Sequence, residues 1–183
     1  MVWAYIMHQL KDLGSRICII GPSCSGKSTL ARNISESINV KAWHLDQIAH
    51  RENTNWQRRS NDDLMSCHNQ IIKDEKWIID GNYSICMVER FKRASSVIWL
   101  DLPFAGCLLR YIKRSLINNP NRPGNLSGTQ QQFNFSLIKY RLQNYPKNRE
   151  KYRLMLTDFD GPFIRITTIS KLEEYYRLWE LSK

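Results

Sequence analysis

The chain has 183 residues, 42% of them hydrophobic, which is enough to bury the core of one folded domain. Its 27 Lys and Arg residues against 17 Asp and Glu residues give a formal charge of +10, which favours anionic partners such as nucleotides, nucleic acid or an acidic membrane surface. Five cysteines without a CxxC pair, and no apolar run near the roughly 20 residues that cross a bilayer, predict a cytoplasmic protein rather than a secreted or membrane one.

Residues 1–14 precede the first predicted strand and form an N-terminal extension. Their apolar spacing fits a segment packed on the domain or a disordered one, and the sequence does not decide between the two. The segment has neither a basic leader nor a small-residue cleavage site, so we do not expect a secretory signal.

The most informative segment is GPSCSGKS at residues 21–28, a full match to the phosphate-binding pattern GxxxxGKS. It follows the apolar run RICII, predicted to be a buried strand, and precedes a helical pattern that begins at Lys27. A strand, turn and helix in this order leave main-chain N–H groups pointing into one concavity, which favours an anion. The residues expected to bind the nucleotide are Gly21, Pro22, Ser23, Cys24, Ser25, Gly26, Lys27, Ser28 and Thr29.

Four residues of this loop have separate expected roles. Gly21 and Gly26 permit backbone angles closed to larger residues and let a phosphate approach the main chain. Lys27 is expected to reach the β and γ phosphates of ATP, and Ser28 to offer its hydroxyl to Mg²⁺. The alternative is a glycine-rich turn that binds no ligand.

Apolar runs alternate with helical patterns along the whole chain, which predicts a parallel βαβ sheet and the α/β fold class. The predicted strands are 16–20, 40–45, 77–79, 97–100 and 163–167. The predicted helices are 27–38, about 61–73, 85–92, 104–117, 133–145, about 147–157 and 171–181. Within the second helix, Cys67 and His68 lack partners at metal-ligand spacing and are expected at the surface. Pro, Gly, Asn and Ser crowd residues 118–128, which predicts a mobile loop.

Carboxylates follow the predicted strands at the sheet edge where parallel α/β proteins bind ligands. Asp80 is expected to hold Mg²⁺, or one of its waters, beside the phosphates contacted by Lys27. Asp46 then faces the acceptor and takes a hydroxyl proton or binds the acceptor directly. For both, the alternative is a structural carboxylate that caps a turn. Asp101 is expected to cap the helix that follows it.

These residues make the chain resemble the P-loop nucleoside and nucleotide kinases, a group that includes adenylate, gluconate and shikimate kinases. Within the group it is most similar to the DNA topology modulation, or FlaR-like, proteins. The likeness rests on GPSCSGKSTLA, HLD at 44–46, Trp56 with Arg59, WIIDGNYS at 77–84 and IWLDLPFAGCLLRYIKRSL at 98–116. It implies one domain over residues 1–183, with the three-layer α/β/α P-loop NTPase fold, a five-stranded parallel sheet in the order 2-3-1-4-5, and a small mobile lid at about 118–132.

The resemblance also implies a set of arginines that bind phosphate. Arg110 and Arg114 are one turn apart on a helix and share a face, which the group uses toward the transferred phosphate. Arg122 lies in the predicted lid, with Arg141 or Arg149 beyond it. Guanidinium groups pair with phosphate oxygens in bidentate fashion. The alternative for Arg110 and Arg114 is a solvated helix face.

The acceptor is expected to contact Trp56, Arg59, Gly81 and Asn82, in addition to Asp46. Trp56 would provide an aromatic platform and Arg59 a phosphate or carboxylate contact, although a tryptophan used only for packing fits equally well. The sequence departs from the group in two places. Asn82–Tyr83 stand where adenylate kinases carry an arginine, and Gly124 stands where FlaR-like proteins often have an acidic residue.

The sequence therefore favours a phosphotransferase that uses ATP and Mg²⁺ on a small acceptor, either a nucleotide or a nucleoside. The residues expected to take part in catalysis are Lys27, Asp46, Asp80, Arg110, Arg114 and Arg122. A nucleic-acid-associated regulator that uses ATP as a switch is the main alternative, favoured by the charge and by the resemblance. A slow NTPase without an acceptor is the third.

Overall fold

The structure, a computed structural model, describes residues 7–54, 56–117, 123–125 and 135–182, excepting the side chains at 135–137, 140 and 141. Five parallel strands form one sheet in the order β2-β3-β1-β4-β5. The strands are β1 Arg16–Ile20, β2 Ala42–His44, β3 Trp77–Asp80, β4 Ser96–Leu100 and β5 Phe163–Ile166. The predicted fold class and strand order are confirmed.

Helices connect these strands. In the described residues they are a short 3-10 helix at Leu10–Leu13, then α1 Lys27–Ile38, α2 Leu45–Ala49, α3 Asn61–Ile71, α4 Ser84–Arg93, α5 Phe104–Leu116, α6 Phe135–Met155 and α7 Ile169–Leu178. The second strand is shorter than predicted because Leu45 already begins α2. The two helices predicted on either side of Pro146 are one helix, α6. Pro146 is exposed, and Tyr152 and Leu156 beyond it are anchored in the core, so packing offsets the missing hydrogen bond.

The two faces of the sheet are covered by different helices, because side chains alternate along a strand. In β1, Ile17 and Ile19 face one core, and Cys18 and Ile20 face the other. The first core is completed mainly by α1 and α7, and the second by α3, α4 and α6. This is the three-layer α/β/α arrangement, and it brings the carboxyl ends of β1, β2 and β3 to one edge.

The described part of the N-terminal extension packs on the domain. Leu13 is fully buried in the first core, and the Trp179 indole N–H donates to the carbonyl of His8 at 3.0 Å. Of the two sequence alternatives, packing therefore holds for residues 7–13. Residues 1–6 lie outside the described residues.

One prediction for α3 is wrong. His68 has no exposed surface, because it lies on the face of α3 that contacts the domain and not on the solvent face. Burial lowers the pKa of His68 to about 4, so the ring is neutral at pH 7. All five cysteines fall in the described residues and carry free thiols. None of the described helices is both long and apolar enough to cross a membrane.

Candidate nucleotide and acceptor site

The loop between β1 and α1 has the backbone geometry that the phosphate-binding pattern predicts. Gly26 caps α1 with φ at 101°, and Gly21 has φ at 145°, both in the range that favours glycine. A Cβ on Gly21 would collide with the carbonyl of Leu100, so only glycine lets the loop start this close to β4. A Cβ on Gly26 would meet nothing within 4 Å, so the space beside that residue is open.

The Lys27 side chain contacts the main chain of the loop and interacts electrostatically with Asp80 and Asp46. Its Nζ donates to the Pro22 carbonyl at 2.8 Å. Burial lowers the pKa of Lys27, and the charges of Asp80 and Asp46 oppose that shift, which places both carboxylates within electrostatic reach of the ammonium group. The two carboxylates that the sequence singled out therefore lie on the same side of the sheet as Lys27 and act on its charge.

Of the two carboxylate oxygens of Asp80, one has a hydrogen-bond partner among the described residues and the other has none. The parallel register places Asp80 beside His44, whose Nδ1 lies 3.1 Å from Asp80 Oδ1. Asp80 Oδ2 is buried and has no hydrogen-bond partner among the described residues, and the same is true of the Ser25 hydroxyl in the loop. Unpaired buried oxygens are costly and mark places where a ligand or ion completes the structure. A carboxylate oxygen is a ligand that Mg²⁺ takes, so the unpaired Asp80 oxygen fits the role expected of it.

Asp46 lies in the first turn of α2, exposed, and is held by the segment after β3. The Tyr83 hydroxyl donates to Asp46 Oδ1 at 3.0 Å. Burial raises the pKa of Tyr83, and the Asp46 carboxylate raises it further, so the phenol keeps its proton and remains a donor. Sequence reasoning did not assign Tyr83 a role.

Gly81 and Asn82 serve the loop itself in this structure. Asn82 Oδ1 accepts from the Gly21 N–H at 3.1 Å, and its Nδ2 donates to the Gly21 carbonyl. Gly81, at φ 129°, packs against Leu45, and its carbonyl accepts from the fully buried Arg90 at 2.9 Å. The predicted contact of Gly81 and Asn82 with substrate stays a prediction.

Of the predicted phosphate-binding arginines, Arg110 reaches the loop. Its Nε donates to the Cys24 carbonyl at 2.8 Å. Arg114 lies one turn further along α5, 5.9 Å from the centre of the Tyr111 ring. Arg122 lies outside the described residues, as do the side chain of Arg141 and most of the predicted lid.

The described piece of the predicted lid, residues 123–125, lies against Ser28 of the loop. At Gly124, with φ 69°, a Cβ would lie 2.7 Å from the Ser28 Oγ and 3.6 Å from the His44 ring. The side chain of Gln47 donates to the Asn125 carbonyl at 2.7 Å. Gly124 therefore lies directly beside the hydroxyl that is expected to bind Mg²⁺.

The prediction that Asp101 caps the next helix is wrong. Residue 103, a proline, is the N-cap of α5, without a side-chain cap. Asp101, with a side chain only 2% exposed, instead pairs with Arg149 at 2.8 Å and with Arg165 at 2.5 Å. Two guanidinium groups satisfy the buried carboxylate better than one N–H at a helix start.

Trp56 and Arg58 lie on the segment that follows α2, close to His50 and Tyr83. The Trp56 ring packs edge-to-face on His50 at 5.2 Å, with its backbone at φ 59°. Arg59 donates its main-chain N–H to Ala49, whereas its neighbour Arg58 lies 6.0 Å from the centre of the Tyr83 ring. Arg58, which sequence reasoning did not single out, forms a strand-like bridge with His50. The predicted contact of Trp56 and Arg59 with the acceptor stays a prediction.

A cavity of about 660 Å³ opens beside the loop, between the start of α4 and helices α5 and α6. Its lining includes Pro22, Ser23, His50, Arg58, Asn82, Tyr83, Ser84, Trp99, Asp101, Phe104, Tyr111, Tyr145, Arg149, Lys151 and Tyr152. Its size is in the ordinary range for small-molecule sites. Because Tyr83 both lines it and donates to Asp46, the cavity adjoins the predicted acceptor carboxylate.

The phosphate loop between β1 and α1, in a parallel sheet of this strand order, defines the P-loop NTPase fold. Similar solved structures include shikimate kinase from Aquifex aeolicus vf5 (18% identity over 88% of this chain and 91% of that chain, TM-score 0.54). Shikimate kinase from Acinetobacter baumannii in complex with shikimate is 14% identical over 91% and 92%, with a TM-score of 0.58. A gluconokinase from Sinorhizobium meliloti 1021 is 17% identical over 91% and 89%, with a TM-score of 0.54.

These similarities show that the chain has the fold of small-molecule P-loop kinases. Comparison of the sequence with protein-family models and with curated proteins finds no match. The finer likeness to DNA topology modulation proteins and to adenylate kinases stays a prediction.

Proposed function

We propose that the protein is a phosphotransferase that uses Mg²⁺ and ATP to phosphorylate a hydroxyl group of a small acceptor. One observation carries the proposal: Lys27 lies in a phosphate loop, and two carboxylates from neighbouring segments, Asp80 at the end of β3 and Asp46 in the first turn of α2, lie within its electrostatic reach. A loop that only binds nucleotide needs one carboxylate for the metal. The second, Asp46, adjoins a cavity and is positioned to act on an acceptor.

The chemistry asks for placement and charge neutralisation more than for covalent steps. The loop amides and Lys27 would hold the β and γ phosphates, and Ser28 and Asp80 would hold Mg²⁺, which neutralises charge on the phosphate oxygens. The acceptor hydroxyl oxygen forms a bond to the γ phosphorus as the bond to the β–γ bridging oxygen breaks and ADP leaves. The hydroxyl proton passes to Asp46.

The finer proposal is that the acceptor is a nucleoside or nucleotide. The resemblance to nucleoside and nucleotide kinases supports it, and the aromatic lining of the cavity is suited to a flat base. Similar structures include kinases of shikimate and gluconate, so hydroxy acids belong in the same screen.

The test is coupled-enzyme detection of ADP with a panel of nucleosides, nucleotides and hydroxy acids. Lys27→Ala is expected to abolish acceptor-stimulated turnover and leave the far-UV circular dichroism spectrum unchanged. Asp46→Asn should lower kcat by about 10²- to 10⁴-fold, as for loss of a general base, with ATP affinity retained. Unchanged turnover of the Lys27 variant would refute the phosphate role. Loss of ATP affinity alone would move Asp46 to the donor side.

A regulator that binds nucleic acid is the rival function, because the chain carries a charge of +10. A gel-shift series across salt concentration on the same preparation separates the two. Tight DNA binding that weakens steeply with salt, together with no acceptor-stimulated turnover, would favour the regulator.

A further inference from the structure

The cavity beside the phosphate loop carries a net positive charge. Among its described lining residues there are three cations, Arg58, Arg149 and Lys151, against one carboxylate, Asp101. A concave site lined by one sign of charge concentrates ligands of the opposite sign. The cavity therefore favours an anionic occupant over a neutral one.

Arg149 has the geometry to bind that anion. Both of its contacts with Asp101 use Nε, at 2.8 and 3.0 Å. Within the part of the chain that the structure describes, its two terminal nitrogens donate no hydrogen bond. The Arg165 guanidinium also contacts Asp101 through Nε and Nη2, at 2.9 and 2.5 Å, so two guanidinium groups share one carboxylate and the three together keep one net positive charge.

The rest of the cavity is suited to a flat ring. Six aromatic side chains line it: Tyr83, Trp99, Phe104, Tyr111, Tyr145 and Tyr152. Two of them, Phe104 and Tyr145, pack against each other at 5.7 Å, and the Tyr145 hydroxyl is fixed on the Leu102 carbonyl at 2.7 Å. Rigid rings of this kind supply contact area at low entropic cost and stack on planar ligands.

We propose that this cavity is the acceptor site and that it selects a ring compound with a hydroxyl group and one anionic group, the anion bound by the terminal nitrogens of Arg149. This rests on the proposed function. Tyr83 connects the cavity to the place of phosphoryl transfer, since it lines the cavity and its own hydroxyl donates to Asp46, beside which the acceptor hydroxyl is phosphorylated. Arg149 is thereby an acceptor-binding residue instead of a lid residue that contacts ATP.

The experiment compares matched acceptors that differ only in the anion. One pair is a nucleoside and its monophosphate, and the other is a ring hydroxy acid and its methyl ester, so the arms distinguish phosphate from carboxylate. The wild type should use the anionic member of at least one pair with the lower KM. Arg149→Met should raise that KM by about 10- to 100-fold, the range for hydrogen bonds to a charged group. The KM values for ATP and for the neutral member should stay unchanged.

Two further variants make the result specific. Arg149→Lys retains the charge and loses the planar fork, so its KM should fall between those of wild type and Arg149→Met. Arg153→Met removes a cation from the same helix, one turn on, that is exposed and paired with Glu150, and should leave every KM unchanged. Equal use of anionic and neutral acceptors, or equal effects of the Arg149→Met and Arg153→Met variants, would overturn the proposal.

Calorimetry separates this inference from the proposed function. The anionic members of both pairs are titrated into wild type and Arg149→Met without ATP. If no compound is phosphorylated but an anion binds wild type at least tenfold more tightly than the variant, the kinase proposal fails and the cavity assignment stands. If ATP turnover responds to an acceptor but Arg149→Met does not change its binding, only the cavity assignment fails.

Discussion

Replacement of Asn82 by alanine tests whether this residue supports the phosphate loop or binds the acceptor. The side-chain amide makes two hydrogen bonds to the main chain of Gly21, a buried residue, across 61 positions of sequence. Each bond is worth about 0.5–1.5 kcal/mol net, and the orphaned N–H and carbonyl of Gly21 add a desolvation cost. We therefore expect Asn82→Ala to lower the free energy of unfolding by about 2–4 kcal/mol, or the Tm by about 5–15 °C.

Urea unfolding followed by circular dichroism measures this loss, and calorimetry with ATP should show weakened binding, because the first residue of the loop is no longer fixed. Asn148→Ala is the matched control. Asn148 lines the same cavity, is exposed, and makes no hydrogen bond within the described residues. If Asn82→Ala unfolds like the control, within about 0.5 kcal/mol of wild type, and only raises the KM for the acceptor, Asn82 does not stabilise the loop through Gly21 and instead binds substrate.

Three other predictions follow from single contacts. Gly124→Ala should lower kcat by about tenfold with a change in Tm of only a few degrees, because the new methyl group collides with the Ser28 hydroxyl, 2.7 Å away; an unchanged kcat would contradict this. His68 has a folded pKa of about 4, below the unfolded value of 6.5, so stability is complete above pH 6.5 and falls by up to about 3 kcal/mol as pH drops through that window. The urea unfolding midpoint of His68→Gln should depend less on pH over this range than that of wild type. If the two midpoints change with pH in parallel, the buried neutral ring is refuted. Asp101→Asn should cost about 2–3 kcal/mol in urea unfolding, since both arginines lose a charged partner, and a stable variant would show that the pairs contribute little.

The parts of the site that the sequence predicted are those fixed by local chain geometry. A strand, a glycine turn and a helix within residues 16–38 define the phosphate loop without reference to the rest of the chain. Likewise, Asp46 and Asp80 lie at the same edge of the sheet as the phosphate loop, because the parallel strands β1, β2 and β3 end there. For these residues, the short-range sequence pattern and the strand order were enough to predict their positions.

The parts that the sequence did not predict depend on partners distant along the chain. Asp101 has the local signal of a helix cap, and only folding brings Arg165, 64 residues later, to its carboxylate. His68 is an exception, because its helical spacing from Leu64 and Ile71 places it on the apolar face of α3, and this local signal was overlooked. Pro146 indicates a helix end by its own chemistry, and the core contacts made further along α6 override it.

The hydrogen bond from Gln47 to the Asn125 carbonyl would help a kinase of this fold to limit hydrolysis of ATP by water. Gln47 is the neighbour of Asp46 on α2, and Asn125 is the neighbour of Gly124, which lies against Ser28. In the proposed kinase, a movement of α2 would therefore be transmitted, through this one amide, to residues 124 and 125 beside Ser28. Gln47→Ala would remove this hydrogen bond, so acceptor binding would no longer be coupled to the position of residues 124 and 125. Hydrolysis of ATP by water would then compete with transfer to the acceptor.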